Sequence, residues 1–275
     1  MIKQKFTVIA ICTLLLGAHT KDVQAQQNTD QAAAKPPLEI TADGSLEWFK
    51  KEQKFIARGK AMASQDGSSI SAETLTANYR DGAQGRFEIS KITADENVII
   101  RAQNSTAYGD QATYTLDNAT AIMTGDNLRM ISPDQSVTAN ERFEYHVNDG
   151  KLLAIGNATA SRPNQNGGID TLNANTISAV FKENAQGERV LETLEAQDNV
   201  TIKTTAETIK GNYAVYKSST NTAQMKGNVK ITRGPNTLEG NRAEIDLNTN
   251  TSKIFGGGTQ NNGRVKAVFY PSSDE

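Results

Sequence analysis

The sequence predicts an all-β fold, an elongated stack of short antiparallel strands. Three observations predict it. First, one segment is written twice. DNVTIKTTAETIKGNYAVYKSSTNTAQMKG begins at Asp198 and GNVKITRGPNTLEGNRAEIDLNTNTSKIFGGG at Gly227, and Asn199/Asn228, Gly211/Gly240 and Gly227/Gly256 share one fixed offset. A fixed offset marks a repeat architecture. Second, apolar residues recur two positions apart, the period of a strand, and the helical period is absent nearly everywhere. Third, turn signals punctuate the chain at Asp66-Gly67, Asp81-Gly82, Asp149-Gly150, Asn166-Gly167-Gly168 and Asn248 to Asn250.

The first 25 of the 275 residues stand apart from this pattern. A basic start (Met1 to Lys5), an apolar run (Phe6 to Ala18) and small residues at Val23-Gln24-Ala25 read as a secretory signal peptide cleaved after Ala25. The apolar run is shorter than the roughly 20 residues of a spanning helix, which makes an uncleaved anchor the weaker reading. Cys12, preceded by bulky Ile11, does not suit a lipid-modified cysteine. Residues 26–37 (QQNTDQAAAKPP) carry no periodicity and form a flexible leader; residues 38–271 are read as a single domain and 272–275 as a tail.

Cleavage removes the only cysteine and His19, leaving His146 and no thiol. No disulfide framework exists, and about 250 residues can hold a core without one. The 29 basic residues lose Lys3, Lys5 and Lys21, and the 31 acidic residues lose Asp22, leaving 26 against 30 and a mature net charge near −4. Nucleic acid is therefore disfavoured as a partner. No second long apolar run follows, so the mature chain is expected to be soluble.

Two short motifs alternate through the domain. The first is Gly, Asp or Glu, a polar residue, then apolar positions two apart: Gly59-Lys60, Glu96-Asn97, Asp126-Asn127, Gly156-Asn157, Asp198-Asn199 and Gly227-Asn228, with Gly256 opening an incomplete seventh. The second is Ala or Gly, then Glu, Asp or Asn, then alternation: Ala72-Glu73, Gly109-Asp110, Ala139-Asn140, Ala174-Asn175, Gly211-Asn212 and Gly240-Asn241. The third copy carries one extra residue, a bulge. Six two-strand units, each burying one face and wetting the other, stack on one another because none covers its own apolar face. Spread over two facing sheets of six to eight strands, they predict a body roughly 30–40 Å long. It is open at both ends, and its first strand (Leu38 to Ala42) and last strand (Arg264 to Tyr270) present unpaired edges that call for partners.

Catalytic chemistry is missing. One histidine and no cysteine remove most nucleophile–base pairs and zinc sites. Gly256-Gly257-Gly258 lacks the lysine and helix of a phosphate loop, and His146 has no partner at ligand spacing and reads as a surface residue. No catalytic residue, metal ligand or cofactor site is assigned. Many inward positions are small (Ala61, Ala63, Ala72, Ala77, Ala112, Ala179, Ala214, Ala243). Their space is either closed by the approach of the two sheets or kept as an apolar groove able to hold acyl chains.

LEITADGSLEW, FIARGKAMAS and SSISAETLTANY (Leu38 to Tyr79), the recurring ENVII, GDNLRM and GNVKI corners and the closing RVKAVFYP (Arg264 to Pro271) together resemble the OstA-like domain family. The resemblance covers about residues 38–271. It implies a twisted β-jellyroll open at both ends and a non-enzymatic periplasmic carrier of lipopolysaccharide that supports outer-membrane assembly in a Gram-negative cell. Copies would join end to end. The N-terminal edge strand would meet the inner-membrane transport complex and the C-terminal edge strand the outer-membrane translocon. The lipid groove carried over onto this sequence comprises Leu38, Ile40, Phe55, Ile70, Leu75, Tyr79, Val98, Ile100, Tyr114, Leu116, Phe143 and Tyr145. Added loops at Arg162 to Gly168 and Lys182 to Arg189 depart from the simplest family pattern. Two alternatives stand beside this reading. A secreted β-solenoid enzyme acting on polysaccharide would have a closed core and opposed carboxylates in an outer cleft, and the inner-membrane-anchored sister component would keep its N-terminal helix.

Overall fold

A computed structural model describes residues 37–82, 87–102, 105–133, 135–164, 167–185, 189–246, 248–249, 251–257 and 263–270. The expected signal peptide, all of the leader but Pro37, and the tail lie outside these residues. The described residues contain no α-helix and form eighteen strands. These are β1 (Glu39–Thr41), β2 (Ser45–Phe49), β3 (Lys54–Gln65), β4 (Ser68–Asp81), β5 (Phe87–Ala102) and β6 (Ser105–Thr115). Next come β7 (Thr120–Thr124), β8 (Leu128–Ser132), β9 (Gln135–Ala139), β10 (Arg142–His146), β11 (Lys151–Pro163) and β12 (Ile169–Glu183). The last are β13 (Arg189–Lys203), β14 (Thr208–Lys217), β15 (Thr222–Arg233), β16 (Asn236–Asp246), β17 (Thr251–Phe255) and β18 (Lys266–Val268).

All pairings are antiparallel and follow chain order. β1 and β2 lie end to end along β3, β7 and β8 along β6, β9 and β10 along β11, and β17 and β18 along β16. Each such pair is one interrupted strand, so the chain makes an up-and-down meander of long passes in a single sheet.

Each pass bends near its middle, and the bends line up as a crease. The register fixes why. Between Arg58↔Thr74 and Ala61↔Ala72, β3 supplies Gly59 and Lys60 where β4 supplies only Glu73. The same two-against-one count sets Glu96-Asn97 against Asp110, Gly156-Asn157 against Asn175, Asp198-Asn199 against Asn212 and Gly227-Asn228 against Asn241. These are β-bulges, which bend a strand and increase its twist. Both residues of each two-residue side have positive φ, for example +82° and +45° at Gly59 and Lys60 and +62° and +55° at Asp198 and Asn199. Gly, Asn and Asp tolerate that region best, which accounts for their recurrence in the first motif. At the expected bulge of the third copy, Asn140 and Glu141 interrupt the strand between β9 and β10.

The motifs are therefore the midpoints of strands: the stack of two-strand units stands, and the expected six to eight strands in each wall become fourteen. Counting each interrupted strand once, the passes β1/β2, β3, β4, β5, β6, β7/β8, β9/β10, β11, β12, β13, β14, β15, β16 and β17/β18 each contribute a half-strand to both walls of a folded sheet. At about 4.8 Å per strand the stack is roughly 60 Å long, not 30–40 Å. The lone residue of each bulge stretches the apolar spacing from two to three (Ala72 to Leu75, Gly109 to Ala112).

The first wall runs through β2, β7, β10, β17 and the matching halves of the long strands; the second runs through β1, β8, β9 and β18. Where the walls converge at the crease, Ala61, Ala94, Val98, Leu128, Ala158, Ala196, Val200, Val229 and Ala243 are almost completely buried. Only small or compact side chains fit that angle. The expected small inward residues all lie in the buried core, so near the crease the approach of the walls closes the space.

Candidate functional site: an apolar space between the walls

Two residues further from the crease the walls stand apart, and larger side chains line them. A cavity of about 110 Å³ lies there. Ile92, Tyr114, Met123, Phe143, Tyr145 and Leu152 border it from the first wall, and Leu38, Ala63, Ile70, Ile100, Ala107 and Met130 from the second. Its polar contributors are few: Gln65, Ser68 and Ser69 around the β3–β4 turn, and Thr113 and Tyr114 on β6. An apolar cavity with a few placed polar groups is the usual form of a lipid or small-molecule site.

Six of the twelve expected groove residues thus border one space: Leu38, Ile70, Ile100, Tyr114, Phe143 and Tyr145. A second, smaller cavity of about 10 Å³ is bordered by Leu38, Ile40, Phe55 and Leu75. The remaining three lie elsewhere. Val98 is packed into the crease. Leu116 follows β6 in a turn, where its N–H donates to the Ser90 carbonyl at 2.9 Å. Tyr79 belongs to an aromatic cluster with Trp48, Phe55 and Phe87, whose ring centroids lie 4.7–5.8 Å apart. The Trp48 indole N–H donates to the Tyr79 hydroxyl at 2.8 Å. Sequence reasoning left Trp48 and Phe87 out of the site. For Trp48 the signal was present in the alternation Leu46, Trp48, which continues the inner row of β3 onto β2 (Leu46↔Ala57, Trp48↔Phe55).

Three of the four inward tyrosines have protein partners for their hydroxyls. Tyr79 accepts from Trp48, Tyr145 accepts from the Arg189 guanidinium, and Tyr216 donates to Asn221 Oδ1 at 3.1 Å. Arg189 also donates to the Val147 carbonyl at 3.3 and 3.4 Å, tying the start of β13 to the β10–β11 turn. The Tyr114 hydroxyl has no such partner among the described residues, and burial raises its pKa above the ordinary tyrosine value.

Ion pairs form across or along strands, such as Arg58–Glu47 at 3.2 Å and Lys230–Glu239 at 3.0 Å. His146 does not stand alone as a surface residue. Its Nε2 lies 2.8 Å from Glu144 and its Nδ1 3.4 Å from Thr120, a contact that needs the register of β10 on β7 to be seen. Among the described residues no group of three or more His, Cys, Asp or Glu could hold a metal ion.

The inner positions of the second half of the sheet are filled by Leu172, Leu194, Ile202, Leu238 and Ile245, which pack onto the crease core as half-buried residues. The two described cavities both lie in the first half.

Comparison with known proteins matches this architecture to a family model twice. The model, described as LptA/(LptD N-terminal domain) LPS transport protein, matches residues 39–151 and again residues 141–251. The first match spans β1 to β10 and holds most of the residues that border the cavity; the second spans β10 to β16. No curated protein matches the chain. Among solved structures, the crystal structure of LptH, the LptA homologous periplasmic component of the lipopolysaccharide transport device of Pseudomonas aeruginosa, is similar at 13% identity. That match covers 86% of this chain and 96% of that one with a TM-score of 0.20.

Proposed function

Because the chain belongs to the family of LptA and the LptD N-terminal domain, lipopolysaccharide transport proteins, we propose that it is a non-enzymatic periplasmic bridge that holds lipopolysaccharide acyl chains between its two walls. The observation that carries this reading is the apolar cavity of about 110 Å³, bordered from both walls. Each buried CH₂ contributes about 0.8 kcal/mol, so one acyl chain of a dozen carbons outweighs any surface charge pair. The mature chain is net acidic, which favours capture by burial over capture by charge. The outer ends of the sheet serve as docking edges: β1 and β2 toward the inner-membrane transport complex, β17 and β18 toward the outer-membrane translocon, with further copies joining end to end.

The experiment is site-specific photo-crosslinking in intact cells. Benzoylphenylalanine at Phe143, which borders the cavity, is expected to give a lipopolysaccharide adduct. The same group at Arg142, whose side chain lies on the outer face beside Glu144, is expected to give none. A folded, exported protein without an adduct at Phe143 would end the transport reading and turn attention to the outer face and a polysaccharide substrate.

A further inference from the structure

We propose that the Tyr114 hydroxyl is the donor that fixes a bound lipid in the groove, hydrogen-bonding an oxygen carried near the head of the acyl chain, an ester or amide carbonyl or a 3-hydroxyl. The inference rests on the lipid reading above and adds a residue that sets position and specificity within the site.

The argument begins with placement. Tyr114 sits in the row Ile92, Tyr114, Ala121, Tyr145, Leu152, set by the registers of β5, β6, β7, β10 and β11. That row is two residues out from Ala112, Met123 and Phe143, away from the crease. Its ring borders the cavity and its residue is half-buried. A chain seated with its tail toward the crease would bring its oxygen-bearing end to this row.

The second step is the difference between Tyr114 and its equivalents. Trp48, Arg189 and Asn221 occupy the hydroxyls of Tyr79, Tyr145 and Tyr216. No described residue occupies that of Tyr114. Water can reach a half-buried phenol in an empty groove. An acyl chain in the groove excludes that water, and a phenol left without a partner is penalised. The bound lipid must then present the acceptor, or bind less tightly. A lipid with oxygen at the right distance from its tail is favoured over a plain alkyl chain, which is how one polar group in an apolar site gives selectivity. A phenol is protonated, and so a donor, at neutral pH, and burial raises the Tyr114 pKa further above its ordinary value.

The test uses the mature chain and purified lipopolysaccharide as the probe, with wild type, Tyr114→Phe and Tyr216→Phe compared by equilibrium binding. Tyr114→Phe is expected to bind about threefold to tenfold more weakly, the value of one neutral hydrogen bond. Tyr216→Phe, whose hydroxyl is committed to Asn221, is expected to match wild type. 4-Aminophenylalanine at position 114 retains a donor and is expected to restore affinity, which a purely structural role for the hydroxyl would not predict. Equal binding by wild type and Tyr114→Phe overturns this inference and leaves the lipid reading in place. Absence of binding by the wild type overturns both.

Discussion

Gly227 and Asn212 meet across the crease: a Cβ added to Gly227 would lie 2.9 Å from the Cβ of Asn212, and the glycine's φ is +78°. At this copy of the motif a Cβ in place of the glycine hydrogen would crowd Asn212. Gly227→Ala is expected to destabilise the fold by about 2–3 kcal/mol, combining left-handed strain with the clash. Gly67 has a similar φ of +72° but nothing within 4 Å, so Gly67→Ala should cost only the strain, about 1 kcal/mol. Urea denaturation of the two variants measures the difference, and equal losses would mean that the contact with Asn212 does not matter.

This pair also marks how far the sequence could be read. The repeat, the two motifs and the inward residues were legible because bulge chemistry and period-two burial are local. Gly227 and Asn212 could be recognised as special, but not as each other's partners, because the pairing is set by register. The same limit hid the Arg189 contact with Tyr145, which spans 44 positions, and the Trp48–Phe87 cluster. The division of the inner face into a closed crease and an open outer space was not legible, because it depends on the angle between the walls and not on any residue's hydropathy.

Crease and groove should respond differently to truncation. Leu128 is 1% exposed at the crease, and Leu128→Ala is expected to cost about 3–5 kcal/mol. Ile70 borders the cavity and is half-buried, so Ile70→Ala should cost about 1–2 kcal/mol, since part of its surface is already unpacked. Thermal unfolding distinguishes them; the reverse order would place the core in the outer space.

Filling the cavity should separate stability from function. Ala107 borders it from the second wall and is buried. Ala107→Leu directs an apolar group into existing space, so the melting temperature is expected to hold or rise, while lipopolysaccharide capture falls by about tenfold or more as acyl CH₂ groups lose their place. Unchanged capture with an unchanged fold would locate the lipid elsewhere.

Tyr213 sets a prediction at alkaline pH. Burial, followed by the charge of Glu195 and a hydrogen bond to it, raises its phenol above the ordinary value of 10.0. The folded state therefore holds this proton more tightly than the unfolded state. Its contribution to stability is complete below pH 10.0 and is lost as pH rises through the folded value. In an ultraviolet titration of phenolate, Glu195→Gln should move one tyrosine to lower pH. An identical titration would mean that Glu195 does not act on Tyr213.

The ends of the sheet give the last prediction. β2 pairs with β3 alone and β17 with β16 alone among the described residues. The inner row of the first wall runs out to the edge at Leu46 and Trp48, which are 62% and 46% exposed because no strand covers them. At the other end Phe269 and Tyr270, beside β18, are 65% and 63% exposed. Unpaired N–H and C=O groups next to uncovered apolar side chains favour the addition of another strand. If copies join there, a charge on the inner row of the edge must be buried without a partner, which strongly disfavours the junction. Leu46→Lys is expected to abolish concentration-dependent association in sedimentation velocity while leaving circular dichroism and the melting temperature unchanged, since Leu46 contributes little to the isolated fold. Association that persists in Leu46→Lys would show that copies meet through another surface, and the docking role of this edge would fall with it.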